Sequence, residues 1–89
     1  MSVDKFYEIV KYPVITEKSV LMVEKLNKVT VIVDKKANKT LLRQIFKEKF
    51  NVPVKKVNMM NTPDGLKKAI ITFYNRDDAI KVATALGIL

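Results

Sequence analysis

The sequence predicts an α/β sandwich: a four-stranded, mostly antiparallel sheet with three helices, in the order β-α-β-α-β-β-α. Three observations carry that prediction. Residues 29–33, VTVIV, are β-branched throughout and bounded by polar residues, the pattern of a central strand. Two amphipathic segments, each opened by a capping residue, lie on either side of that run. Two further strand-like runs, 54–60 and 67–74, flank Thr62-Pro63-Asp64-Gly65, in which proline pre-sets one turn angle and glycine permits a positive φ, so they should pair as a hairpin.

The elements follow in order. Residues 6–12 alternate, with Tyr7 and Ile9 on one side and Phe6, Val10 and Tyr12 on the other, and stop at Pro13; this reads as an edge strand. Thr16 is placed as an N-cap with Glu17 in the first turn of a helix reaching about Leu26, whose buried stripe would be Ile15, Ser19, Met22, Val23 and Leu26. After the central strand, Asn38 opens a second helix to about Phe50 with Leu41, Leu42, Ile45, Phe46 and Phe50 on its apolar face. Pro53 closes it. Asn75 is read as the cap of a third helix, with Asp77 and Asp78 at its positive end, Ala79, Val82, Ala83 and Leu86 inward, and a Schellman stop at Gly87-Ile88.

A chain of 89 residues is enough for one compact domain, and residues 1–89 are read as a single domain without linker, repeat or low-complexity run. Lysine and arginine number 17 against 9 acids, for a net charge of +8, which is the footprint of a polyanion binder. The excess is local. Residues 34–68 hold ten basic residues and three acids, whereas 1–33 and 69–89 are nearly neutral. The first thirteen residues carry Asp4 and Glu8 in no apolar stretch and are not read as a signal peptide, and no segment approaches the roughly 18 apolar residues of a membrane span. Absence of cysteine fits a reducing, cytoplasmic setting.

With neither histidine nor cysteine, the usual acid-base and nucleophilic partners are missing, and Gly65 and Gly87 cannot build a phosphate-binding glycine loop. No enzyme activity, metal, cofactor or small-molecule substrate is expected. Lys39, Arg43 and Lys47 are spaced four apart and form one ridge opposite the apolar face of the second helix, continuous with Lys35 and Lys36. No acid four residues away offsets the like-charge contacts; an ordinary solvated face is the bland alternative, and a phosphate-facing ridge is favoured because it joins the Lys35-Lys36 pair that precedes the same helix. Lys55-Lys56 and Lys67-Lys68 bracket a polar hairpin tip with Asn58, Asn61 and Thr62, and alternation should send one lysine of each pair to each face. KKAIITFY faintly echoes an RNA-recognition-motif strand but lacks its glycine and a second aromatic strand, so Phe73 is read as core and stacking on the sheet face is not expected.

The segments KYPVITEKS, VTVIVDKKANK and FNVPVKKVNMMNTPDGLKKAIITFY, in that order over essentially residues 9–89, resemble the ribosomal protein L23 family, the universal large-subunit proteins at the polypeptide exit tunnel. The hairpin is short where bacterial members usually carry a long basic loop, and the basic N-terminal extension of eukaryotic members is missing, so the chain looks archaeal. The resemblance implies a structural protein of the ribosome that binds large-subunit rRNA, beside neighbouring tunnel-exit proteins, through the proline-to-TEK segment, the start of the second helix and the hairpin. Carried onto this chain, with the ridge added, these regions supply Lys11, Tyr12, Thr16, Lys18, Lys35, Lys36, Asn38, Lys39, Arg43, Lys47, Asn58, Asn61, Lys67 and Lys68. Glu17 matches a glutamate that in bacterial relatives helps dock a nascent-chain chaperone; an archaeal member would offer that surface to signal recognition particle or the translocon, and favouring the first helical turn is its competing role. Two rivals stand beside this reading: a protein-docking module whose basic face meets acidic partners, and a peripheral membrane binder, for which no helix joins a basic face to an aromatic-rich apolar one.

Overall fold

A computed structural model describes residues 2–89, with side chains from Lys5 onward. The elements are α1 (Ser2–Ile9), β1 (Val10–Pro13), α2 (Glu17–Leu26), β2 (Lys28–Val33), α3 (Lys39–Phe50), β3 (Val54–Asn61), β4 (Lys67–Phe73) and α4 (Arg76–Leu86). The four strands form one sheet in the order β1-β2-β4-β3, and every neighbouring pair is antiparallel. The α/β sandwich with a four-stranded antiparallel sheet is therefore present, with four helices rather than three.

The added helix corrects the N-terminal reading. Residues 6–10 satisfy both periods, because Phe6, Ile9 and Val10 are also one helical stripe. Tertiary packing decides between them. Phe6 is fully buried, its ring edge-on to Phe46 at 5.2 Å and to Phe50 at 5.4 Å, while Tyr7 and Glu8 face outward. The chain turns into a strand only at Val10, pairs with β2 across a bulge between Val10 and Tyr12, and ends at Pro13 on the sheet edge as expected.

Caps set the helix positions. Thr16 accepts from the Ser19 backbone N–H at 3.1 Å while the Ser19 hydroxyl accepts from the Thr16 N–H at 2.8 Å, a reciprocal capping box. Asn38 Oδ1 accepts from the Leu41 N–H at 2.8 Å. Asn27 and Asn51 end α2 and α3 in the left-handed region, at φ 59° and 56°. Ile88 N–H reaches the Ala83 carbonyl at 2.9 Å past Gly87, which is the expected Schellman closure. Two details differ from expectation. Asn75 occupies the cap position of α4 but turns its amide onto Asp78, at 3.2 Å, rather than onto the backbone. Ile15 and Leu26 are exposed, because Ile15 precedes the Thr16 cap and is not held in helical phase, and Leu26 lies in the final turn; Ser19 and Val23 are the buried residues of α2.

Alternation gives the sheet two chemically distinct faces. Val29, Val31 and Val33 of β2, Ala69, Ile71 and Phe73 of β4, and Val54 and Val57 of β3 join Leu42, Ile45 and Phe46 of α3 and Ala79, Val82 and Ala83 of α4 in one core. The opposite face is laid out by register in transverse rows: Tyr12, Ile32, Lys68, Met60; then Thr30, Ile70, Asn58; then Lys28, Thr72, Lys56. Thr30 is 4% exposed and its hydroxyl has no hydrogen-bond partner among the described residues. An unpaired buried hydroxyl costs about 1–3 kcal/mol. Thr30→Val, which keeps the shape and strand preference, is expected to raise the Tm by several degrees, roughly 4–8 °C for each kcal/mol recovered in a domain this size. Thermal unfolding followed by circular dichroism checks it, and a lower Tm would show that the hydroxyl is satisfied in solution.

Candidate nucleic-acid interface

Residues of β1, the outgoing end of β2, the turn before α3 and the hairpin meet at one end of the sheet, whereas Thr16 and Lys18 of the proline-to-TEK segment lie apart from them. The outgoing end of β2, the turn before α3 and the β3–β4 hairpin enclose a cleft of about 430 Å³ lined by Lys11, Tyr12, Ile32, Val33, Asp34, Lys35, Lys36, Gly65, Leu66 and Lys67. Four lysines and one aspartate thus surround an apolar floor. Lys11, Tyr12, Lys35, Lys36 and Lys67 are five of the expected site residues, far apart in sequence and brought together by the β1-β2-β4 order.

The walls are fixed by bonds within the chain. Asp34 N–H donates to the Ile9 carbonyl at 2.7 Å, and Ala37 N–H to the Asp34 carbonyl at 3.0 Å. The Asp34 carboxylate accepts from the Lys36 N–H at 2.8 Å and pairs with Lys11 Nζ at 3.3 Å. Lys36's N–H, foremost, and then Lys11 hold this carboxyl below its ordinary range, with desolvation opposing them. A carboxyl with a depressed folded pKa contributes stability above its unfolded pKa and loses it as pH falls through the folded value, so the turn stays pinned at neutral pH. From the hairpin, Lys67 Nζ donates to the carbonyls of Ala37 at 2.7 Å and Lys35 at 3.2 Å. Lys67 is therefore a brace first, with one of its three donors left for a ligand.

The remaining expected residues fall into neighbouring groups. Lys39, Arg43 and Lys47 are exposed along α3, starting where the cleft's turn ends. Arg43 is partly committed, since its guanidinium donates to the Val54 carbonyl at 2.7 Å and ties α3 to the start of β3. Thr16, Lys18 and Lys68 line a smaller groove of about 150 Å³ between the first turn of α2 and the open sheet face. The Thr16 hydroxyl is used by its capping box, and Asn38 Oδ1 by its cap. Asn58 lies half-buried in the middle row of the open face, and Asn61 is exposed opposite Lys67 near the hairpin tip. Alternation holds for the Lys67-Lys68 pair: Lys67 pairs with Val33 and Lys68 with Ile32, on opposite faces. Lys28 and Lys56 share the outer row of the open face, a juxtaposition that needs the strand register and was not readable from spacing. Besides Lys11, Arg43 and Lys67, two more basic residues are drawn into structure: Lys49, which sits 5.0 Å from the Tyr7 ring centre, and Lys81, which donates to the Phe50 carbonyl.

A mixed α/β fold with 17 basic residues against 9 acids, no charged side chain among the described residues being fully buried, defines a small, strongly basic α/β protein. Comparison with known proteins narrows this class. The family profile "Ribosomal protein L23" matches residues 8–86. The chain is 43% identical over 82 residues to the large ribosomal subunit protein uL23 of Methanococcus aeolicus, covering 92% of this chain and 95% of that one. It is 37% identical over 83 residues to the protein of the same name from Trypanosoma brucei brucei, covering 93% of this chain and 51% of that one, so it spans about half the trypanosome protein's length. The chain belongs to the ribosomal protein L23 family and is of archaeal type. It is a component of the large subunit of the cytoplasmic ribosome, a structural protein and not an enzyme. No helix among the described residues is long and apolar enough to cross a membrane.

Proposed function

We propose that residues 1–89 act as a single rRNA-binding domain near the polypeptide exit tunnel, gripping folded large-subunit RNA with the cleft, the α3 ridge and the hairpin. The observation that carries this reading is the convergence of four lysines on a pre-formed cleft from which the ridge Lys39, Arg43 and Lys47 continues. Lysines neutralise phosphates and supply most of the affinity, whereas selectivity comes from RNA shape and polar groups such as Asn58 and Asn61. The opposite end of β1 leads to a different surface. Glu17 is exposed in the first turn of α2, with exposed Leu21 one turn on and exposed Ile15 just before the cap. This mixed apolar and acidic patch is suited to proteins rather than RNA, and we assign it to docking of nascent-chain factors, signal recognition particle and the translocon among them.

Ribosomes washed at high salt and then exposed to ultraviolet light test the reading. The protein is expected to sediment with the large subunit and to crosslink to large-subunit rRNA through peptides containing residues 34–68. Stoichiometric retention after nuclease digestion of the RNA, without any RNA crosslink, would favour the protein-docking alternative instead.

A further inference from the structure

The cleft has a feature that phosphate binding alone does not use. Tyr12 is 49% exposed, lines the cleft, and lies over a floor that includes buried Ile32, its cross-strand partner. β1 is the sheet's edge, so no further strand lies beyond the ring among the described residues. Two other tyrosines are exposed, and their surroundings differ. Tyr7 packs edge-on to Phe6 and has Lys49 over its ring. Tyr74 lines a groove with Glu24, Lys25 and Arg76, where acidic and basic groups are mixed. Only Tyr12 of the three is ringed by four lysines.

We propose that the cleft receives one unpaired rRNA nucleotide, its base stacked on the Tyr12 ring and its flanking phosphates held by Lys11, Lys35 and Lys36. This rests on the rRNA-binding reading and adds the kind of RNA element that occupies the site. A paired base in an A-form helix shows no face to a side chain, whereas a bulged or loop nucleotide does, and aromatic stacking is the common way proteins take such bases. Stacking accepts any base, because every base has a π-face, so the cleft selects for an unpaired position more than for a letter. The sequence argued against stacking on the sheet face, and Phe73 is indeed buried; the proposal departs from that expectation because it uses the exposed edge-strand ring of Tyr12 on the open face. Lys67, Asp34 and Lys11 hold the walls before RNA arrives, which lowers the ordering cost of binding.

The test uses the full chain and transcribed large-subunit rRNA, with wild type, Tyr12→Phe, Tyr12→Leu and Tyr12→Thr compared for affinity, Tm and base reactivity. Tyr12→Phe is expected to bind within about twofold of wild type, and both non-aromatic variants about tenfold or more weakly, the loss of one stacked base. One base shielded from chemical modification by wild type and by Tyr12→Phe should become reactive with Tyr12→Leu and Tyr12→Thr, while hydroxyl-radical protection of the surrounding backbone persists. Tyr12→Thr keeps strand propensity and serves if Tyr12→Leu lowers the Tm. Equal affinity and identical base reactivity across all four proteins would overturn the stacking proposal and leave rRNA binding intact. A wild-type chain that protects no RNA backbone would overturn the rRNA-binding reading itself, and the proposal with it.

Discussion

Replacing Lys39 and Arg43 with glutamine is expected to flatten the salt dependence of rRNA binding, by about 0.7–0.9 in the slope of log affinity against log salt for each phosphate no longer neutralised. Affinity carried by phosphate neutralisation falls steeply as salt rises, because bound counterions are released on association. Lys39 is exposed and forms no ion pair among the described residues, so Lys39→Gln reports phosphate neutralisation alone. Arg43 is different. Its charge-assisted bond to the Val54 carbonyl contributes about 1.5–3 kcal/mol, so Arg43→Gln is expected to lower the Tm as well as the slope. Measuring both quantities on both single variants separates the two roles. A slope unchanged in the double variant would remove the α3 ridge from the interface.

Phe46→Ala is expected to cost about 3–5 kcal/mol of folding free energy. Phe46 is fully buried where α1, α3 and β4 meet, with Phe6, Phe50 and Phe73 at ring-centre distances of 5.2, 5.9 and 6.3 Å. At roughly 0.05–0.15 kcal/mol per residue, a chain of this length has a total stability of only about 4–13 kcal/mol, so the variant stands near the unfolding threshold. Urea unfolding of the free protein should show the destabilisation directly. Addition of rRNA should restore part of it, since a ligand at about 100 times its Kd stabilises the folded state by about 2.7 kcal/mol. A change below about 1 kcal/mol would mean that the aromatic cluster repacks around the gap, since truncating a well-packed buried phenylalanine costs several times that.

The sheet, the caps of α2 and α3 and the Schellman stop were legible in the sequence because each rests on local chemistry: β-branched runs, short polar side chains at helix starts, glycine at a positive φ. The helical character of residues 2–9 was not legible. Phe6, Ile9 and Val10 fit a strand or a helix equally, and only the rings of Phe46 and Phe50, distant in the chain, select the helix. The candidate site divides the same way. That charge concentrates between residues 34 and 68 is a property of the string. That Lys67 turns inward onto the Lys35 and Ala37 carbonyls, or that Lys28 and Lys56 share a row, depends on strand register and loop closure, which spacing does not specify.

The order β1-β2-β4-β3 leaves two strands with one unpaired side each, and how those edges are built bears on the protein before it reaches a ribosome. An open edge invites pairing with another chain and growth into aggregates. β1 is four residues long, bulged after Val10 and terminated by Pro13; β3 is irregular between Val54 and Lys56 and carries exposed Lys55 and Lys56. Short length, bulges, proline and repelling charges are the recognised ways of blunting such edges. Edges built this way disfavour strand-to-strand zippering between free copies of the chain.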